Sequence, residues 1–148
     1  MAASPGNTAL PRTTVAAEDY LEKIEQLIAR KGYARVVDIA TELGISQASV
    51  TAMVQKLDAE GFVKYEKYRG MVLTSSGLEV ARRIAHRHQL LTEFLRSIGV
   101  TDEKVIYDDV EGMEHHISPE TFRAIEALTR YLEKNPAIIE KCRRTRAG

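Results

Sequence analysis

The sequence predicts a mainly α-helical chain: an N-terminal winged helix-turn-helix with a small β-hairpin, followed by an all-helical second half. Three observations predict it. Apolar residues recur at helical spacing through most of the chain, two short helical segments are separated by a glycine-containing turn, and a stretch of β-formers around Gly70 follows directly. Length supports the same reading, because 148 residues hold one compact domain or two small ones with a modest shared core.

Residues 1–14 contain Pro5, Gly6, Asn7 and Pro11 without periodicity and read as a flexible arm. From Ala16 to Lys31, Tyr20, Ile24, Leu27 and Ile28 mark one face of a first helix that stops at Gly32. VVDIATELGI is a short second helix with Val37, Ile39, Ala40 and Leu43 inward and Gly44 at its end. Ser46 caps a third, whose Val50, Met53, Val54 and Leu57 repeat until Gly61. FVKYEKYRGMVLTSSG then reads as a hairpin turning at Arg69 and Gly70, a wing behind a recognition helix. Thr74, Ser75 or Ser76 caps a long connector running from about Gly77 to Ile98. After Gly99, Thr101 or Asp102 starts a helix through EKVIYDDVEGMEHHI, and Ser118 with Pro119 starts another, apolar at Phe122, Ile125, Leu128 and Leu132. Asn135 and Pro136 end it, leaving a short basic tail.

Twenty-one basic residues balance 21 acidic ones, so the total does not mark a nucleic-acid binder, but the distribution is uneven. Thr101 to Glu126 holds eight acidic residues against Lys104 and Arg123, whereas Lys64, Lys67 and Arg69 cluster on the hairpin. No apolar run reaches the roughly 20 residues of a membrane span, and the N-terminus lacks a signal-peptide core, so a cytoplasmic protein without membrane contact is expected. With Cys142 the sole cysteine, one chain cannot form a disulfide or a thiolate cluster, and any metal must take oxygen and nitrogen donors.

Glu111, Glu114 and His115 stand at i, i+3 and i+4, which on a helix turns all three to one side. Carboxylate and imidazole groups three or four residues apart on a helix, as in the Glu-x-x-His motif, build dinuclear sites, because one carboxylate can bridge two ions while its neighbours complete each shell. Asp19 and Glu22 form a second carboxylate pair, and His88 lies midway along the connector. Paired carboxylates on a helix are ordinarily a solvated face; the acidic density argues against that here, since crowded carboxylates repel and a divalent cation relieves them. No H-E-x-x-H or Ser-His-Asp arrangement accompanies the cluster, so an enzyme is not expected.

The segments EDYLEKI, RKGYARVVDIA, SVTAMVQKLD, YEKYRGMVLTSSG, HRHQLL and DVEGMEHH resemble the diphtheria toxin repressor family, in particular its manganese-responsive members, from about Thr14 to the end of the sixth helix. The resemblance implies a homodimeric repressor that binds double-stranded operator DNA when Mn(II) is bound, about two ions per subunit, and controls manganese uptake genes; no organic substrate is implied. It implies Asp19, Glu22, His88, Glu111, Glu114 and His115 as ligands. Iron-responsive members, the alternative reading, carry Met where Asp19 stands and Cys where Glu111 stands, and hard carboxylates at both suit Mn(II). The domains expected are a winged-helix DNA-binding domain (15–74), a connector helix (75–98) and a metal-binding and dimerisation domain (99–148). Candidate DNA contacts are Gln47, Ser49, Thr51, Gln55 and Lys56 on the third helix, Lys64, Lys67 and Arg69 on the wing, and Arg35.

Overall fold

The computed structural model describes residues 13–148; residues 1–12, most of the expected flexible arm, lie outside the described residues. Helix α1 (Val15–Lys31) begins where Thr14 accepts a hydrogen bond from the Ala17 amide, and it ends at Gly32, whose positive φ closes the helix. Helices α2 (Val36–Leu43) and α3 (Gln47–Ala59) are joined by a turn at Gly44, with the Ser46 hydroxyl capping α3. Strands β1 (Val63–Glu66) and β2 (Gly70–Leu73) pair antiparallel, Val63 opposite Leu73 and Glu66 opposite Gly70. A further bridge joins Ala34 to Met71 and seats the hairpin on the α1–α2 connection. Gly70 is required there: its φ is 105°, and an added Cβ would lie 2.6 Å from the Ala34 carbonyl oxygen.

Helix α4 (Ser75–Ser97) belongs to both halves. Its Val80 and Ala81 close the first core with Leu21, Ile24 and Leu27 of α1, Ile39 of α2, and Val50, Val54 and Leu57 of α3. Its Leu91 and Leu95 form a second core with Ile106 and Val110 of α5 (Glu103–Met113). Burying each such aliphatic side chain contributes about 1.5–3 kcal/mol. Helix α4 thus packs on α1 of the winged helix and on α5 and α6 (Pro119–Lys134) of the second half. Among the described residues no helix is long and apolar enough to cross a membrane.

Several expectations are corrected. In α2 it is Val36 that packs on the core while Val37 is exposed, because the helix starts at Val36 and its inward stripe is set one residue earlier. The hairpin turns at Lys67–Arg69, before Gly70, with Tyr68 in the left-handed region (φ 68°). On α6 the buried positions are Leu132, as expected, and Thr129, whose hydroxyl donates to the Ile125 carbonyl, while Leu128 faces outward. The basic tail is a helix, α7 (Pro136–Arg146), with Pro136 at its first turn. It buries nothing, but Arg146 donates to the Gly99 carbonyl (2.7 Å) and Arg143 approaches that of Arg96 (3.5 Å), covering the negative end of α4.

Candidate metal centre

All six expected donors converge where α1, α4 and the end of α5 meet. Helix α1 offers Asp19 and Glu22 one turn apart, α4 offers His88, and α5 offers Glu111. Glu114 and His115 were expected within a continuous helix, but α5 ends at Met113: Glu114 is the C-cap and His115 stands in the turn beyond. Because Glu114 keeps helical φ and ψ, its side chain still projects beside that of Glu111. Arg87 holds this turn, donating to the Glu114 carbonyl (2.9 Å) and the Ile117 carbonyl (3.1 Å).

Glu114 is the hub. Its side chain is 0% exposed, with Oε2 3.0 Å from His88 Nδ1 and Oε1 3.4 Å from His115 Nε2. On the first side stand Glu111, 3.3 Å from the same His88 nitrogen, and Glu22, one of whose carboxylate oxygens lies within 4.8 Å of a ring nitrogen of His88 and an oxygen of Glu114. On the second side Asp19 Oδ1 reaches within 2.8 Å of His115 Nε2. Asp19, Glu22, His88 and Glu111 also line a cleft of about 470 Å³, together with Gln26 and Tyr107. Gln26 donates to Glu22 (3.2 Å), and Tyr107 packs edge-on against His88.

The electrostatics are those of a site lacking positive charge. Burial, reinforced by Glu114 and Glu111, pushes the Glu22 carboxyl up to about 7. Burial likewise raises Asp19, with His115 opposing and Glu114 assisting, and raises Glu111, with Glu114 assisting. The hydrogen bond to Glu114 raises His88 above its ordinary value. Burial alone would lower His115, but Glu18, Asp19 and Glu114 outweigh it and raise it. Glu114 Oε1 and His115 Nε2 are buried with no hydrogen-bond partner. Acceptors facing acceptors inside a protein are costly unless a proton or a cation lies between them. The donor set, four carboxylates and two imidazoles, therefore fits a hard or borderline divalent cation. Cys142, the sole thiol, is exposed on α7 and takes no part.

Sequence reasoning missed Glu18, which binds Nδ1 of His115 at 2.7 Å. Its only signal was adjacency to Asp19. The remaining histidines stay apart: His86 faces Glu126 (3.7 Å) and Phe122 on α6, and His116 is exposed.

The candidate DNA contacts fall on α3, on the wing and, for Arg35, at the start of α2. Ala48, Ala52 and Gln55 are outermost on α3, with Gln47 and Thr51 along one edge and Ser49 and Lys56 along the other. Thr51 is half-buried, and the Ser49 hydroxyl is engaged by that of Ser46 (2.8 Å). Lys64, Lys67, Arg69 and Arg35 are exposed, Arg69 lying 3.5 Å from Glu66 and Arg35 stacking over Tyr33. The two wing tyrosines part company: Tyr65 packs on the core, whereas Tyr68 is 90% exposed at the tip.

Residues 12–71 match the family model described as iron dependent repressor, N-terminal DNA binding domain, and residues 74–143 match its metal binding and dimerisation domain. The chain is 52% identical over 128 residues to the HTH-type transcriptional regulator MntR of Lysinibacillus sphaericus (strain C3-41), covering 86% of this chain and 91% of that one. It is 54% identical over 125 residues to the protein of that name from Bacillus subtilis (strain 168), covering 84% and 87%. Among solved structures, the manganese regulator SloR aligns with a TM-score of 0.66 at 31% identity, over 78% of this chain and 54% of that one. A manganese-dependent transcriptional repressor in complex with manganese aligns with a TM-score of 0.67 at 28% identity, over 78% and 53%. The chain thus spans about half the length of these two solved relatives. Both halves of the family model, matched in order along nearly the whole described chain, make this chain a member of the iron-dependent, or diphtheria toxin, repressor family.

Proposed function

We propose that this chain is a manganese-responsive transcriptional repressor that binds double-stranded operator DNA as a homodimer when Mn(II) occupies the α1–α4–α5 centre. The observation that carries the reading is the position of Glu114, a fully buried carboxylate between two imidazoles, with the further candidate donors Asp19, Glu22 and Glu111 around them. Asp19, Glu114 and His115 would hold one ion and Glu22, His88, Glu111 and Glu114 a second, with Glu114 shared. The divalent charge would supply the attraction the donors lack. Asp19 and Glu22 ride on α1 of the winged helix, Glu111 to His115 follow α5, and His88 is on α4 between them. Closing these donors together fixes the winged helix against the helical half, and in a dimer that fixes the separation of the two recognition helices. A linkage of this kind is commonly worth about 1–3 kcal/mol, or roughly 5–150-fold in DNA affinity. Exposed Gln47, Gln55 and Lys56 would face the major groove, and Lys64, Lys67 and Arg69 would hold the backbone beside it.

Relatives named MntR, together with carboxylates at Asp19 and Glu111, favour manganese. The family name keeps an iron-responsive repressor as the second reading. One experiment tests both. Chelator-stripped protein is titrated with Mn(II) by loss of the free-ion EPR signal, beside a Glu111→Ala, Glu114→Ala variant. Duplexes are then selected from a random-sequence pool with Mn(II), with anaerobic Fe(II), or with chelator. About two ions per chain and DNA retained only with Mn(II) are expected. Retention with Fe(II) alone supports the iron reading, and retention undiminished by chelator overturns metal control.

A further inference from the structure

The six donors leave one partly buried acid of the centre without a role. Glu18 is 12% exposed, and both of its carboxylate oxygens are engaged. Oε2 lies 2.7 Å from His115 Nδ1, while Oε1 accepts from the Thr13 hydroxyl (2.8 Å) and from Arg83 of α4 (3.4 Å). Asp19, its neighbour in sequence, approaches the opposite nitrogen of the same ring, Nε2, at 2.8 Å. Two successive residues of α1 thus address the two sides of one imidazole that belongs to the far half of the chain.

We infer that Glu18 is a positioning residue of the metal centre, fixing through Nδ1 which nitrogen of His115 faces Asp19 and Glu114. This rests on the reading of the site as a Mn(II) centre. An ionised carboxylate only accepts hydrogen bonds, so the ring nitrogen beside it must carry a proton. In the neutral ring the lone pair then belongs to Nε2. Nε2 is the nitrogen turned toward Glu114 Oε1, and both atoms are buried without a hydrogen-bond partner. A partner on the far nitrogen of a ligating histidine sets its tautomer and orientation and makes the near nitrogen a better donor. Glu18 is poorly placed to be a ligand itself. Arg83 puts a positive charge on one oxygen, and the His115 N–H occupies the other. The same Arg83 contact anchors Glu18 to α4, so the His115 ring is oriented from two helices at once.

The test uses the full chain with ¹⁵N-labelled histidine, as parent, Glu18→Ala and Glu18→Gln. Long-range ¹H–¹⁵N spectra of metal-free protein in alkaline buffer report the His115 tautomer, and Mn(II) EPR titrations report affinity. The parent and Glu18→Gln, whose amide oxygen still accepts from Nδ1–H, are expected to show the Nδ1–H form and to bind within a few-fold of each other. Glu18→Ala is expected to lose that preference and about 10–100-fold in Mn(II) affinity, with its circular dichroism unchanged. An unchanged tautomer and affinity in Glu18→Ala overturns the inference. So does a Glu18→Gln as weak as Glu18→Ala, which would make Glu18 a ligand. A parent that binds no Mn(II) sinks the metal reading and with it the consequence for affinity, while the tautomer comparison still decides whether Glu18 sets the ring.

Discussion

Glu114 Oε1 and His115 Nε2 lie 3.4 Å apart, both buried, and neither has a hydrogen-bond partner. The other Glu114 oxygen is taken by His88, so this single carboxylate touches both halves of the donor set. Glu114→Gln keeps the shape and removes the charge. Its amide can still meet His88, and the fold should survive with an unchanged circular dichroism spectrum. Mn(II) affinity should fall by more than the roughly 10–100-fold typical of an outer partner, because both proposed ions would draw on the charge of this carboxylate. An EPR titration in which this variant still binds two ions at parental affinity would rule out the bridging role.

The pH dependence of the centre has a definite sign. Glu22 is raised from 4.5 to about 7 on folding, mainly by burial and then by Glu114 and Glu111, so the native state holds a proton that the unfolded chain has lost. The Glu22 contribution to metal-free stability is therefore full below about pH 4.5 and is lost as pH rises through about 7. His88 and His115, also raised, act in the same direction: their contribution is full below their ordinary value and is lost above the folded one. For Glu22 alone the loss is about 1–2 kcal/mol once partial exposure is allowed for. Mn(II) must displace these protons, so its affinity and the rise in Tm it causes should both grow with pH across the same window. Thermal melts at saturating Mn(II) and in chelator, repeated across that range, check this; a Tm difference that shrinks with rising pH contradicts it.

How far the sequence carried depended on whether a feature is local. The glycines that close α1 and α2, the caps Ser46 and Ser118 and the apolar stripe of α3 depend only on neighbours in the chain, and each stands where spacing puts it. The donors were legible as spacings within single segments, but nothing in those spacings shows that Asp19 and His115 meet, since they come together only through the packing of α1 and α5 on α4. Glu18 was invisible for the same reason. On a bare helix it is another acid beside Asp19, and only the tertiary fold supplies Arg83 and His115. Helix α7 was missed because it is mainly polar and basic and buries no residue fully; Arg143 and Arg146 tie it to the end of α4. Val37 was misplaced because adjacent valines give no periodic signal of their own.

Tyr68 combines backbone strain with almost complete exposure. Its φ of 68° is a conformation that costs a residue of this kind about 1–2 kcal/mol, and its side chain, 90% exposed beside Lys67, recovers little of that by packing. Strain at an exposed wing tip points to a contact made in the complex. Tyr68→Asn, which tolerates the left-handed region, should raise stability by up to about 1 kcal/mol while weakening binding to a Mn(II)-selected duplex by roughly tenfold. Denaturant melts and fluorescence anisotropy give the two numbers. Stability and DNA affinity rising together would show that the strained ring contributes nothing to recognition.

Gly77 and Gly112 turn the same substitution to opposite ends. Gly77, in the first turn of α4, has its amide held by Thr74 (3.2 Å), and an added Cβ would lie 2.0 Å from the Phe62 carbonyl oxygen. That oxygen already accepts from the Thr74 amide (3.0 Å), and both sides of the clash are backbone, so no side-chain rotation relieves it. Gly77→Ala must push α4 off the wing, at a cost of about 2–3 kcal/mol that exceeds the gain of about 1 kcal/mol in helix propensity. Gly112 on α5 has nothing within 4 Å of its added Cβ, and Gly112→Ala should be stabilising by about 0.5–1 kcal/mol. Because α4 carries His88 as well as the contact with Phe62, the displaced helix in Gly77→Ala should also weaken Mn(II) binding from a distance, although no ligand is touched. Parallel denaturant melts and EPR titrations of the two variants check the pair. Equal effects on stability would show that α4 does not sit against the wing as closely as its backbone indicates.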